Sequence, residues 1–271
     1  VRDRRAWDGL LRETKPDLIY HLAAQPYPGV SWRDPVHTMD VNVTGTIHLF
    51  ESLRTLSLRP RVLIACSGAE YGVVPENEQP IKEHRELLPL HPYGISKVAQ
   101  DLLAFEYHAA YGLHTIRARL FNTTGPGKSG DACGDFTMRQ AQIDRGFRDP
   151  VLTVGNLSAR RDITDVRDTV LALDLLLQKG RAGDVYNVCS GTAVSLQHVA
   201  ETVVRLGQKR SRIEVDKNLL RPADESLLVG DNSKLCNATG WKPTVPLDKT
   251  LSDMLDYWRQ RVSAAMAVEK A

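Results

Sequence analysis

The chain has 271 residues, of which 42% are hydrophobic and 25% charged, a composition typical of a globular protein with a sizeable core. The 35 basic and 33 acidic residues give a net charge of +2, and they form neither a basic block suited to nucleic acid nor an acidic tail. Four scattered cysteines argue against a zinc site or a disulfide framework, and no membrane-length apolar run or signal-peptide pattern is found, so we expect a cytoplasmic protein.

Short β-rich runs alternate with helical patterns along the chain, which is typical of a parallel sheet built from βαβ units. A charged, helix-like stretch covers residues 2–14. Strands are predicted at residues 17–22, 61–66, 114–120 and 184–188. Helices are predicted at residues 37–56, 93–111, 165–179, 195–206 and 247–261.

The Gly/Pro-rich segment 123–130 marks a change from regular α/β patterning to loops and short elements. We therefore expect a doubly wound, Rossmann-type parallel sheet in one lobe and a smaller, mixed α/β, substrate-binding lobe. The first lobe is predicted to comprise residues 1–122 and 163–190 and to bind a dinucleotide. The second is predicted to comprise residues 123–162 and 191–271, because the chain crosses between the lobes more than once.

A tyrosine and a lysine stand four residues apart at the start of a predicted helix, as Tyr93 and Lys97. This spacing places them on one helix face. The ammonium group of Lys97 is expected to lower the pKa of Tyr93, so that the tyrosine can exchange a proton with a substrate oxygen. Ser67 ends a predicted strand and could hydrogen-bond the same oxygen. A surface Tyr and Lys would leave the same spacing, but the strand before them and the long helix after them favour catalysis.

These motifs resemble those of the extended short-chain dehydrogenases/reductases, and the resemblance covers nearly the whole chain. Residues 21–25 (HLAAQ) look like the family's loop along the cofactor, and 42–46 (NVTGT) like a helix whose asparagine has a structural role near the active site. Residues 119–122 (RLFN) resemble the segment that leads into the substrate lobe. The resemblance implies NAD or NADP as cofactor and a catalytic triad of Ser67, Tyr93 and Lys97. It assigns cofactor contacts to Leu22, Ala23, Ala24, Tyr93 and Lys97.

The second half resembles the group that contains GDP-mannose 4,6-dehydratase and GDP-6-deoxy-D-mannose reductase. The similar segments are 155–168 (GNLSARRDITDVRD), 221–224 (RPAD), 230–235 (GDNSKL) and 239–241 (TGW). The resemblance implies a GDP-sugar substrate and a homodimer formed by the helices at 37–56 and 93–111. It assigns sugar-nucleotide contacts to Asn122, Arg161, Arg221 and Asp224. An arginine fork suits a diphosphate, although a structural salt bridge is the alternative for each arginine.

A 4,6-dehydratase needs an extra carboxylate as base, whereas ketone reduction needs only a hydride and one proton. In the dehydratases that this chain resembles, a glutamate stands two residues before the tyrosine that is Tyr71 here. This chain has Ala69 at that place and Glu70 one residue later. On an extended segment, a shift of one residue points a side chain to the other face, so Glu70 is expected not to substitute. We therefore predict reduction of GDP-4-keto-6-deoxy-D-mannose to GDP-D-rhamnose, with a dehydratase or a 4-epimerase as alternatives.

The family's glycine-rich turn, GxxGxxG, which lets backbone amides approach the cofactor's pyrophosphate, is not found before His21. Our interpretation is that the chain is a fragment of a longer protein, inactive as it stands and prone to associate through an exposed sheet edge. The alternative from another class is a sugar-nucleotide-binding protein without redox chemistry. The scattered histidines show no common spacing, so no metal site is predicted.

Overall fold

The computed structural model describes residues 1–219 and 226–269, with side chains up to Ser263. Its α-helices are α1 (Arg4–Thr14), α2 (Pro28–Arg33), α3 (Pro35–Met39), α4 (Gly45–Thr55), α5 (Pro92–Tyr111), α6 (Ala132–Asp144), α7 (Val166–Lys179), α8 (Leu196–Leu206), α9 (Ser233–Thr239) and α10 (Leu247–Glu269). Its strands are β1 (Leu18–His21), β2 (Arg61–Ser67), β3 (His114–Leu120), β4 (Asn122–Thr124), β5 (Val151–Val154), β6 (Arg160–Asp165), β7 (Val185–Val188), β8 (Ala193–Ser195), β9 (Arg212–Val215) and β10 (Leu227–Leu228). Among the described helices, none is both long enough and apolar enough to cross a membrane.

The first of two compact units comprises residues 1–121, 171–188 and 230–241. It contains a parallel sheet with the strand order β1-β2-β3-β7. Side chains alternate between the two faces of a strand, so Leu63 of β2 packs in one core cluster while Val62 and Ile64 pack in another. β2 is thus covered on both faces, which explains why its residues 62–66 form an unbroken apolar run.

The second unit comprises residues 122–170, 189–229 and 242–271. In its described part, β10, β6 and β4 form one sheet, β8 pairs antiparallel with β6, and β5 pairs parallel with β9. The helices α6, α8 and α10 meet in a core that includes Phe136, Val203 and Leu255. Arg259 of α10 donates to the buried carboxylate of Asp144, which ends α6, at 2.6 Å.

All four predicted strands are confirmed to within one residue at each end. The predicted helices at 93–111, 165–179 and 195–206 are confirmed with the same accuracy. The helix predicted at 37–56 instead begins at residue 35 and contains a π-helical turn, Asp40–Thr44, and the last helix continues to residue 269. The 13-residue helix α6 was not predicted, because its buried face includes polar residues and Gly134, whose missing side chain admits the carbonyl of Lys128.

The predicted lobe boundaries differ from the two units in four places. Residues 122, 163–170 and 189–190 belong to the second unit, and residues 230–241 belong to the first. The last difference has a packing cause, because Leu235 and Trp241 are buried in the same core cluster as β3, β7 and α7. Burial of these two apolar side chains stabilises the packing of the segment in the first unit.

Candidate active site

Ser67 ends β2 and also caps the short 3₁₀ helix Gly68–Glu70. Its Oγ accepts a hydrogen bond from the backbone N–H of Ala69 at 3.2 Å, and its own N–H donates to Oε1 of Glu70 at 2.7 Å. A serine hydroxyl has one proton and two lone pairs. Because the N–H of Ala69 occupies only one lone pair of the Ser67 Oγ, the Ser67 hydroxyl can still donate its proton to another oxygen.

Tyr93 and Lys97 lie in the first two turns of α5, which begins at Pro92. His91 caps the helix through Nδ1, which accepts from the N–H of Gly94 at 2.9 Å. A Cβ on Gly94 would come within 2.9 Å of the carbonyl oxygen of Ala69, so only glycine lets α5 approach the 3₁₀ helix this closely. Helix and strand end therefore bring Tyr93 beside Ser67, with which it shares a hydrogen bond.

Lys97 is buried near the ring of Tyr93 and is held there by a hydrogen bond to the backbone. Its Nζ donates to the carbonyl oxygen of Ala65 at 2.8 Å and lies 5.8 Å from the centre of the Tyr93 ring. Burial lowers the pKa of Lys97, because it disfavours the charged ammonium. An ammonium group has three donors, so Lys97 can hold a further acceptor besides Ala65.

The predicted lowering of the Tyr93 pKa by Lys97 is wrong for this structure. Burial raises the pKa of Tyr93 to about 12, and the hydrogen bond with Ser67 offsets only part of this rise. The negative charge of Glu70 raises the pKa of Tyr93 further. Tyr93 is consequently protonated at neutral pH, which suits a group that gives a proton to a substrate oxygen.

Buried hydrogen bonds made by Asn42 and Ser96 stabilise the first turn of α5. Asn42, in the π-helical turn, accepts from the N–H of Gln25 at 2.7 Å and donates to the Oγ of Ser96 at 2.8 Å. Ser96 in turn donates to the carbonyl oxygen of Tyr93 at 2.7 Å. The asparagine that the family resemblance marks as structural therefore supports the tyrosine through Ser96.

The side chain of Glu70 points in a different direction from that of Ala69, the position at which the similar dehydratases have a glutamate. Residues 68–70 form a 3₁₀ helix, whereas an extended segment was predicted. Glu70 nevertheless turns into the protein, where it is fully buried, bound to the N–H of Ser67 and 3.2 Å from Nε of Arg119. Ala69, the position of the dehydratase glutamate, is half-buried and carries no carboxylate.

A buried ionic network continues behind Glu70. Nε of Arg119 donates to Asp101 of α5 at 2.9 Å, and Arg117 binds the other oxygen of the same carboxylate at 2.7 Å. Arg117, Arg119 and Asp101 were not predicted as a group from the sequence. Two arginines at alternate positions within a mostly buried strand were the available signal, since buried arginines require partners.

The predicted cofactor segment follows β1 in the first unit, at the carboxyl end of the parallel sheet. Leu22 and Ala23 are exposed and Ala24 is half-buried. The crevice outside the carboxyl ends of parallel strands is where open α/β sheets bind ligands. Ser67 ends the adjacent strand β2, so the segment and the Ser67–Tyr93–Lys97 group lie at the same edge of the sheet.

The predicted substrate residues that the structure describes lie in the second unit. Asn122 begins β4, is exposed and donates to the carbonyl oxygen of Asp162 at 3.3 Å. Arg161 lies on the neighbouring strand β6, half-buried, with Nη1 donating to the carbonyl oxygen of Arg160 at 3.0 Å. Two further predicted residues, Arg221 and Asp224, lie outside the described residues.

Residues 1–254 match the family model described as GDP-mannose 4,6 dehydratase. A GDP-6-deoxy-D-mannose reductase from Pseudomonas aeruginosa is 34% identical over 91% of this chain and 82% of its own length. GDP-mannose 4,6 dehydratase 1 of Arabidopsis thaliana is 33% identical over 89% of this chain and 68% of its own length.

The solved structure of RMD from Pseudomonas aeruginosa, complexed with NADPH, has a TM-score of 0.92 and 32% identity to this chain. The similarity covers 96% of this chain and 86% of that one, and it confirms the predicted Rossmann-type α/β fold. The chain belongs to the GDP-mannose 4,6-dehydratase family, within the extended short-chain dehydrogenases/reductases.

Proposed function

We propose that the protein reduces a 4-keto-6-deoxy nucleotide sugar with a reduced nicotinamide cofactor, converting GDP-4-keto-6-deoxy-D-mannose to GDP-D-rhamnose. The observation that carries this proposal is a half-buried Tyr93 that shares a hydrogen bond with Ser67 and lies close to Lys97, with alanine at position 69. Such a site has the acid that ketone reduction needs and lacks the extra base that dehydration needs. The 34% identity to a reductase of that name supports it.

In this reaction, the hydroxyl of Ser67 donates a hydrogen bond to the C4 carbonyl oxygen and orients it. Tyr93 gives its phenolic proton to the same oxygen as negative charge develops there. The nicotinamide cofactor, when bound, supplies the hydride that reaches C4, so hydride and proton together convert the ketone to an alcohol. The ammonium of Lys97 stabilises the tyrosinate that forms.

The residues at the carboxyl edge of the first unit's sheet fit a nicotinamide dinucleotide, either NADPH or NADH. The exposed apolar segment 22–24 offers a surface for the cofactor beside the catalytic group. Lys97 and Tyr93 have hydrogen-bond donors suited to ribose hydroxyls. The ammonium group of Lys97 has three N–H donors, and the carbonyl oxygen of Ala65 accepts one of them. A related structure that is complexed with NADPH supports this choice of cofactor class.

For the GDP-sugar, we propose contacts from Asn122 and Arg161 of the second unit, together with Arg221 and Asp224. The guanidinium groups suit the diphosphate and the asparagine amide suits sugar hydroxyls. We also propose a homodimer. On α5, the side chains of Ile95, Leu102 and Phe105 are exposed and share one face, which is an apolar stripe suited to a second copy of the chain.

Dehydration of GDP-mannose is the second candidate, because the matching family model carries that name. It requires a carboxylate that can reach the C5 proton. The only carboxylate in the 3₁₀ helix 68–70 is that of Glu70, and it is bound to Ser67 and Arg119 inside the protein. This placement favours reduction over dehydration.

The test is an assay of the protein with GDP-4-keto-6-deoxy-D-mannose and NADPH or NADH, following cofactor oxidation and product formation. Tyr93→Phe is expected to lower kcat by about 10²- to 10⁴-fold. Tyr111→Phe, at the exposed end of the same helix, is the matched control and should keep full activity. Dehydration of GDP-mannose by the unmodified protein, without ketone reduction, would refute the proposal.

A further inference from the structure

Glu70 is a fully buried carboxylate next to the catalytic group, and the reaction as described does not use it. Its Oε1 accepts the backbone N–H of Ser67 at 2.7 Å, and its Oε2 lies 3.2 Å from Nε of Arg119 without a well-aligned hydrogen bond. A buried acid that is only partly satisfied is costly, so its retention next to a catalytic serine calls for a physical explanation.

Two buried carboxylates near the proposed site, those of Glu70 and Asp101, share the guanidinium group of Arg119. Asp101 binds Arg119 at 2.9 Å, and Sγ of Cys66 and one carboxylate oxygen each of Glu70 and Asp101 all lie within 4.8 Å of one another. Arg119 therefore serves two carboxylates, and Arg117 contacts only Asp101 of the two. Glu70 is the less completely paired member of this cluster.

We propose that Glu70 is a positioning residue, which holds the backbone of Ser67 in place and sets the negative charge that Tyr93 experiences. The proposal rests on the proposed function, because it concerns the proton that Tyr93 gives to the substrate. Its geometric basis is the 2.7 Å bond to Ser67 and the short 3₁₀ helix that joins Ser67 to Glu70. Arg119 and Asp101 position Glu70 in turn.

The charged and titratable groups that face Glu70 come from three elements. They are Cys66 on β2, Lys97 and Asp101 on α5, and Arg119 on β3, while Tyr93 of α5 shares a hydrogen bond with Ser67. Burial and the charge of Asp101 raise the pKa of Glu70 to about 8, against the opposing effects of Arg119, Lys97 and the Ser67 N–H. Glu70 thus changes charge near neutral pH, and Tyr93 gives up its proton less readily when Glu70 is ionised.

The first experiment measures the thermal unfolding of the wild type, Glu70→Gln and Glu83→Gln between about pH 5 and about pH 9. A folded-state pKa that lies above the unfolded value stabilises the protein below the unfolded pKa, and this stabilisation is lost as pH rises through the folded pKa. The Tm of the wild type relative to Glu70→Gln should therefore fall as pH rises to about 8. Glu83, which accepts the N–H of Asn187 at 2.9 Å, is the matched control.

The second experiment measures the pH dependence of the ketone reduction for the same proteins. Glutamine keeps an acceptor for the Ser67 N–H but cannot ionise, so the alkaline loss of activity that follows ionisation of Glu70 near pH 8 should move to higher pH in Glu70→Gln and stay unchanged in Glu83→Gln. A purely structural role would lower kcat equally at every pH. Glu70→Leu also removes the acceptor and should lower kcat about tenfold further, with its folding checked by the same melt.

Both the Tm trend and the shifted alkaline limb are required for the proposal to stand. A constant Tm difference across the pH range would overturn it, and so would an alkaline limb that does not move. Activity of Glu70→Leu equal to that of Glu70→Gln would remove the positioning role. Absence of turnover in the wild type would overturn the proposed function instead, since the Tm measurement does not depend on catalysis.

Discussion

Replacing Asn42 by alanine should destabilise the first unit by about 3 kcal/mol. The change removes three hydrogen bonds among buried groups: Gln25 N–H to Oδ1 at 2.7 Å, Nδ2 to Gln25 O at 3.2 Å and Nδ2 to Ser96 Oγ at 2.8 Å. The orphaned N–H of Gln25 costs about 1–3 kcal/mol, and each lost donor adds about 0.5–1.5 kcal/mol. The better helix propensity of alanine returns only about 0.5 kcal/mol.

Urea unfolding, followed by far-ultraviolet circular dichroism, measures this loss directly. Asn77→Ala is the matched control, because Asn77 is exposed in the short 3₁₀ helix Glu76–Glu78. Because Ser96 also donates to the carbonyl oxygen of Tyr93, Asn42→Ala should lower kcat as well as stability. A loss below about 1 kcal/mol, within the range of a single ordinary hydrogen bond, would refute the reasoning.

Three further predictions concern other parts of the chain. Arg259→Ala should leave the buried carboxylate of Asp144 without its cation and destabilise the protein by about 3 kcal/mol in urea unfolding; an unchanged midpoint would contradict this. Burial lowers the pKa of His91, so stability is present above its ordinary pKa and is lost as pH falls through the folded value. His91→Asn, which keeps a capping acceptor, should therefore lose less Tm between about pH 7 and about pH 5 than the wild type, and equal losses would count against it. Aspartate at both Leu102 and Phe105 should convert the proposed dimer to a monomer in analytical ultracentrifugation, and a dimer that persists would refute this surface as the interface.

The sequence predicted the first unit well because its central strand β2 is buried on both faces. Residues 62–66 are apolar whichever face a side chain takes, and a run of that kind identifies a strand without tertiary information. The second unit was harder to predict. Its strands β4, β8 and β10 have only two or three residues, and their pairing depends on contacts far along the chain. No periodicity can develop over so short a length.

The closeness of Tyr93 to Ser67 and Lys97 could be predicted from their spacing and elements, whereas the electrostatics of this group could not. Ser67, Tyr93 and Lys97 occupy the ends of elements that the sequence already identified. The pKa of Tyr93 depends instead on burial, which spacing does not report, and on Glu70. Glu70, Asp101 and Arg119 come from three separate elements, so only the fold brings them together.

The position of one carboxylate separates the two reactions that the family comparisons leave open. A 3₁₀ helix has about three residues per turn, so residues 69 and 70 point in directions about 120° apart. Glu70 points into the protein, where Ser67 and Arg119 bind it, so its carboxylate is not free to act as a base. Burial raises the pKa of Tyr93 to about 12, and the charge of Glu70 adds to this rise. The proposed reduction needs only the proton of Tyr93, whereas dehydration would need a free carboxylate, and that of Glu70 is already engaged inside the protein.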